Sequence, residues 1–250
     1  MFTTPKMMST ALSRCWAKRM RCSRFSVKKR AKMINFQRSN ETEIMDSEDY
    51  TDDELRGDFR NIRLANILTR TYGILIKRLN VLIRKNRLKD FTILDIGTGM
   101  ADVPLELARH FNVNGTRAKI KGIDPNPRAI KVAKEFINGH RDIEFEAKSV
   151  QEFSDNEQFD FVISNHTLHH IPSDDILETL NKMYRMARHG LIISDIRRTK
   201  LAHIGASIIS KFIRNRLTSN DTPASIRKAL SKAELKAVLK ASKLENYSVR

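Results

Sequence analysis

The sequence predicts an α/β fold: a doubly wound, mostly parallel sheet with a helical cap ahead of it. Three observations carry this. Beyond residue 90, short apolar runs alternate with stretches whose apolar residues recur three or four apart. A Gly-x-Gly turn, Gly97 and Gly99, directly follows the first run. Asp95, Asp124, Asn165 and Asp195 stand at the ends of successive runs, where sheets of this type bind their ligands.

Each element has its own signal. Residues 39–54 are acidic and poor in apolar groups, which predicts a mobile acidic linker over 33–54. Leu55, Phe59, Ile62, Ala65 and Leu68 then mark a helix. Leu75, Leu79, Leu82 and Ile83 mark a second, to Asn86, with Gly73 at the break; together they make a helical cap over 55–90. The basic face of that second helix, with Lys77, Arg78, Arg84 and Lys85, suits solvent, a membrane surface or nucleic acid. Strands are predicted at Phe91–Ile96, Ala118–Ile123, Ile143–Ala147, Phe159–Ser164 and Leu191–Ile196. Helices are predicted at Asp102–His110, after the Asn126-Pro127 cap, and over 174–189 with Gly190 as its stop. A further helix opens at Thr222-Pro223, and Ser231-x-x-Glu234 is a capping box for the next. Tyr247–Arg250 begins a strand whose hairpin partner has no room before the last residue.

Composition excludes several classes. The 250 residues are 40% hydrophobic and 30% charged, with apolar stretches no longer than three residues. A membrane-spanning helix needs ~20. Two cysteines, Cys15 and Cys22, make neither a disulfide scaffold nor a cysteine zinc site in the main body. The formal charge of +17 is unevenly spread. Residues 1–32 hold ten basic groups and no acid, whereas 33–58 carry a net −7, 59–90 a net +8 and 91–250 a net +6. The opening block reads as a mitochondrial transit peptide, a disordered basic tail, or a stretch ahead of a true start at Met33, and is set outside the fold. A cytoplasmic location is expected, or the mitochondrial matrix in the transit-peptide case.

Four clusters carry chemistry. In Asp95–Asp102 the glycines allow a tight turn and close backbone approach. A dinucleotide fingerprint wants Gly or Ala where Asp102 stands, and a carboxylate there opposes a pyrophosphate, so the loop points to a cofactor without phosphates. Asp124, before Pro125, can accept hydrogen bonds from a ribose diol, or serve as a helix N-terminal acid. In Asn165-His166-Thr167-Leu168-His169-His170 three histidines read either as a pocket rim, one able to take a proton or orient a hydroxyl, or with one or two of them as structural hydrogen-bonders; no Cys or carboxylate pair joins them at ligand spacing, so no metal is assigned. Asp195, Arg197 and Arg198 face the same cleft, the arginines either holding an anion or solvated.

Taken in order, these residues resemble the class I S-adenosylmethionine-dependent methyltransferases, Rossmann-like enzymes, from about Phe91 to Arg250. The segments DELRGDFRNIRLAN, LHHIP and RLTSNDTPASIRKAL are similar to small-molecule methyltransferases of quinone and polyketide biosynthesis. The resemblance implies S-adenosyl-L-methionine as cofactor. It implies Gly97, Thr98 and Gly99 under the methionine part, Asp95 ordering that loop, Asp124 with Pro125 at the ribose, Ser149 and Val150 beside adenine, and Asn165 on the methionine side. His166, His169, His170 and Asp195 would face the acceptor, with His169 or His170 as base. The segment 55–88 and an insert at 197–230 would form a lid, and Ile204, Ile208, Ile209 and Phe212 suggest an apolar small-molecule acceptor or ordinary core. The adenine loop lacks the family's acid, reading Ala147-Lys148-Ser149-Val150. The alternatives are an RNA or protein methyltransferase and a non-catalytic scaffold. Against nucleic acid, the segment after strand four lacks the Asn/Asp-Pro-Pro-aromatic run of base-amino methylases. No oligomeric state is assigned.

Overall fold

The computed structural model describes residues 37–249, apart from Glu48, Asn114 and Asp155. The basic block 1–32 and its three readings lie outside the described residues, as does Arg250. All the helices and strands below belong to one compact unit that begins at Arg38.

Five strands build one parallel sheet: β1 (Asp90–Ile96), β2 (Arg117–Asp124), β3 (Ile143–Ala147), β4 (Phe159–Asn165) and β5 (Ala187–Ser194). Their order is β3-β2-β1-β4-β5, so the direction of winding reverses between β1 and β4. The crevice at the carboxyl ends of those two strands is where such sheets take ligands. Asp95 is in register with Gly122 on one side and Ile163 on the other.

Both sheet faces are buried, as a parallel sheet requires. Alternate residues go to opposite cores. Phe91, Ile93, Ile120, Phe161 and Ile163 join one cluster, while Leu94, Ile96, Ile123 and Val162 join the other. The first is closed by α3 (Thr71–Asn86) and α4 (Asp102–Val113), through Leu75, Leu79, Leu107 and Phe111. Phe91 meets Phe111 and Phe161 edge-on at 5.1 and 5.6 Å. The second is closed by α6 (Ile176–Met186) through Met183 and Met186. Between β2 and β3 runs α5 (Pro127–Ile137), capped by the Asn126 side chain with Pro127 in its first turn, as predicted.

Several predicted punctuation marks fall elsewhere. The cap helices are α2 (Asp52–Leu68) and α3, but they break at Arg70, which turns left-handed, and Gly73 lies inside α3 facing open space. The outer face of α3 is solvated at Lys77, Arg84 and Lys85. Gly190 does not stop α6; it sits within β5, where a Cβ would lie 2.6 Å from Leu82. Pro223 does not open a helix. It lies inside α8 (Arg216–Lys228), which starts from the Asn215 cap. The capping box of α9 (Lys232–Ala241) forms as read. Tyr247–Val249 form no strand, so β5 pairs only with β4 among the described residues.

The largest departure is the acidic segment. The sequence predicts a mobile linker; the structure shows an ordered strap with a one-turn helix, α1 (Ile44–Ser47). Its acids meet cations from distant elements. Glu41 pairs with Arg227 at 2.8 Å, Asp46 with Lys228 at 2.8 Å, Asp52 with Arg128 at 2.6 Å and Glu54 with Arg216 at 2.8 Å. The backbone N–H groups of Ile44 and Met45 donate to the Asp221 carboxylate, at 2.9 and 3.1 Å. Charge that would keep an isolated segment extended is neutralised here by the basic face it lies on.

Candidate functional site

At the end of β1 the chain makes the tight turn its glycines allow. Gly97 and Gly99 both have positive φ, +71° and +52°. A Cβ on Gly97 would come within 2.2 Å of the Thr167 hydroxyl, which donates to the carbonyl of Ile96 or of Asn165, each at 3.1 Å. The glycine therefore lets the post-β4 loop lie directly against the post-β1 loop. Phe59 of α2 packs over Gly99.

Gly97, Pro125, Ser149, Val150, Thr167 and His170 line one cleft of about 540 Å³, with Lys148 and Gln151 on its wall. Asp124 is not a lining residue itself but stands between two that are, Ile123 and Pro125. One carboxylate oxygen accepts from the Gly99 N–H at 3.1 Å and the other from Asn126 at 2.9 Å. Each oxygen keeps a further lone pair. Burial raises the pKa of Asp124. Asp95 is more deeply enclosed, and burial pushes its carboxyl up to about 7. Thr98 is buried, and its side chain partly offsets the effect of burial on Asp95.

Asp102 does not project into the crevice. It is buried and accepts from Asn66 Nδ2 at 2.9 Å and from the Tyr72 hydroxyl at 2.5 Å. Burial and that carboxylate raise the Tyr72 pKa. Asn66 also accepts from Asn165 Nδ2 at 3.4 Å, tying the end of β4 to α2, while Asn165 Oδ1 stays buried and unpartnered among the described residues.

The histidines divide. His166 adopts a left-handed conformation, φ 54°, and its N–H donates to Ser194 at 2.8 Å. Such a backbone costs ~1–3 kcal/mol and is kept only where its surroundings hold it. Burial lowers the His166 pKa, favouring neutral imidazole. His169, 4% exposed, places Nδ1 2.7 Å from Asp195 Oδ1, and its N–H donates to Asp195 Oδ2 at 2.9 Å. Burial alone would raise the Asp195 pKa, but His169 holds it below the usual value. With the carboxylate accepting from Nδ1–H, Nε2 is left as the basic nitrogen. His170 is half-buried beside the strap, 3.2 Å from Asp46, and its pKa is raised by that carboxylate against the effect of burial.

Sequence reasoning missed what covers these histidines. Arg38 donates to the carbonyls of His169 and Ile171, at 3.0 and 2.7 Å. Glu43, His169 and His170 bring potential ligand atoms within 4.8 Å of one another, but Lys228 Nζ already stands 3.2 Å from Glu43 Oε1 and supplies that carboxylate with a cation. Only the abrupt acidity of 41–54 opposite a basic chain hints at this cover. Arg198, read as facing the cleft, is buried against Glu234 and the Ala229 carbonyl instead, while Arg197 is exposed.

Residues 93–190 match the family described as methyltransferase domain. The chain is 24% identical over 102 residues to malonyl-(acyl-carrier protein) O-methyltransferase 1 of Ilyobacter polytropus, a stretch covering 41% of this chain and 36% of that relative. It therefore spans about a third of that relative's length. Among solved structures, the plantazolicin methyltransferase BpumL, crystallised with a pentazolic desmethylPZN analog and SAH, superposes with a TM-score of 0.52 at 14% identity, covering 75% of this chain and 74% of that one. The plantazolicin methyltransferase BamL, with a triazolic analog and SAH, gives 0.50 at 16%, covering 78% and 76%. With that match and this sheet order, the segment 93–190 is a methyltransferase domain of Rossmann-like fold.

Proposed function

We propose that the protein transfers a methyl group from S-adenosylmethionine to an oxygen or carbon of a small apolar or aromatic acceptor, by direct displacement. The observation that carries this is the His169–Asp195 pair, buried beside the cleft that Gly97, Thr167 and Ser149 line. The residues suit the cofactor. Asn165 Oδ1 is a buried acceptor without a partner among the described residues, available to an ammonium group. Asp124 keeps lone pairs for ribose hydroxyls, and Ser149, Val150 and Gln151 offer a wall for adenine. When bound, S-adenosylmethionine supplies a methyl group already activated on a sulfonium, so alignment is the main demand on the protein.

His169 Nε2 takes the proton that the acceptor gives up as its oxygen or carbon gains the methyl group. Asp195 holds the ring in the tautomer with the proton on Nδ1 and stabilises the imidazolium that forms. Because the strap covers His169, the acceptor reaches Nε2 only with the segment from Arg38 to Asp46 displaced.

Calorimetry tests the cofactor step. Micromolar binding of S-adenosylmethionine but not NADH, weakened in Asp124→Ala, is expected. Absence of binding by folded protein would remove the reading. With a phenolic or quinol acceptor identified by mass spectrometry, His169→Gln should lower kcat ~10²-fold or more and leave cofactor affinity unchanged.

A further inference from the structure

One surface has no part in the methyl-transfer cleft. The segment α7 (Lys200–Ile209), with the short turn Ser210–Phe212 after it, lies beyond β5 in the chain and packs on α8. Its buried residues are Ala206 and Ser210. The opposite side is apolar and bare: Leu201 and Phe212 are each 83% exposed, and Ile204, Ile208 and Ile209 are each more than half exposed. At about 100° per residue, Leu201, Ile204 and Ile208 fall within about 60° of one another, and Phe212 continues the stripe. A soluble surface scatters single apolar side chains; a contiguous row marks a contact.

The charge around the row says with what. From Ile196 to Asn220 there is no acidic residue. Arg197, Lys200, Lys211 and Arg214 are exposed. Lys200 and Lys211 flank the apolar stripe on one side of the helix. A second copy of this chain, docked two-fold through the same face, would bring one cationic border onto the other, because the same patch is used twice. An anionic partner is required. An apolar row with a cationic border, on a helix lying along the surface, is the arrangement that inserts at the boundary between lipid headgroups and acyl chains.

We propose that α7 and its following turn dock the protein on an anionic membrane surface, with Leu201, Ile204, Ile208 and Phe212 entering the acyl boundary and Lys200 and Lys211 at the headgroup phosphates. This does not depend on which acceptor is methylated.

The test must separate this face from the basic block 1–32, which would also attract anionic lipid. The chain holds one tryptophan, Trp16. The full chain carrying Trp16→Phe and Phe212→Trp therefore reports from the stripe alone. It is mixed with phosphatidylcholine vesicles, with and without phosphatidylserine. Emission should shift to the blue, and lipids brominated on the acyl chain should quench it, with the anionic vesicles. Adding Leu201→Asp or Ile208→Asp should weaken partitioning about tenfold or more. Both sites are exposed, so these variants keep the fold, which circular dichroism checks. Vesicle binding with the indole at position 212 still in water would overturn the proposal, as would no vesicle binding. So would a concentration-dependent dimer in sedimentation velocity that Ile208→Asp abolishes.

Discussion

Asp95 shows how a single residue couples the site to stability. Its carboxyl group lies near the end of β1, where burial pushes its pKa up to about 7. Asp58 on α2 is pushed to about 6 for the same reason, the Thr218 hydroxyl only partly offsetting burial. In the unfolded chain both titrate near 4. Between about pH 4 and 7 the native state thus holds protons that the unfolded state has lost, so stability falls as pH rises through that window. Thermal melts from pH 4 to 8 should show this fall, of order a few kcal/mol. Asp95→Asn should flatten it. A slope left unchanged by Asp95→Asn would show that Asp95 does not carry it.

At the scale of elements, one lysine neutralises the buried acid of the strap. Lys228 on α8 reaches Glu43 at 3.2 Å and Asp46 at 2.8 Å, with Glu43 almost wholly buried. Lys228→Met should cost about 3 kcal/mol, because it strands a buried carboxylate, and Lys228→Met with Glu43→Leu should recover much of that. Denaturant melts of the two variants check it. Equal losses in both would show that the pair contributes by packing instead.

Elements were legible to different degrees for the same kind of reason. The strand at Ile143–Ala147 has the bounds its apolar run predicts, and β1, β2 and β4 differ from their runs only by a residue or so at an end. Parity along a strand is local information. Gly73, Gly190 and Pro223 misled because a glycine or proline is a permission, not an instruction: Gly190 makes room for Leu82, a contact invisible in sequence. Position was legible at the strand ends: Gly97 follows β1, Asp124 ends β2 and Asn165 ends β4. Pairing was illegible where partners lie far apart in sequence, as with Asp195, twenty-six residues from His169, or Glu43 and Lys228, near opposite ends of the described chain.

For the whole molecule the strap has a consequence in time. Arg38 ends on the carbonyl of Lys228, 190 residues further along, and Ser39 on that of Arg227. A ribosome adding about 5–20 residues per second needs roughly ten to forty seconds between making the two ends of that contact. Throughout that interval the covering segment lacks its partners on α8, and the histidine loop is completed before its cover can close fully. Contacts this distant in sequence are also the last to be rewarded when a chain refolds. In pulsed hydrogen exchange during refolding, the amides of Ile44 and Met45 should gain protection after those of β1 and β4. Each newly made molecule would then begin its life open, and an incomplete chain arrested before α8 would stay so.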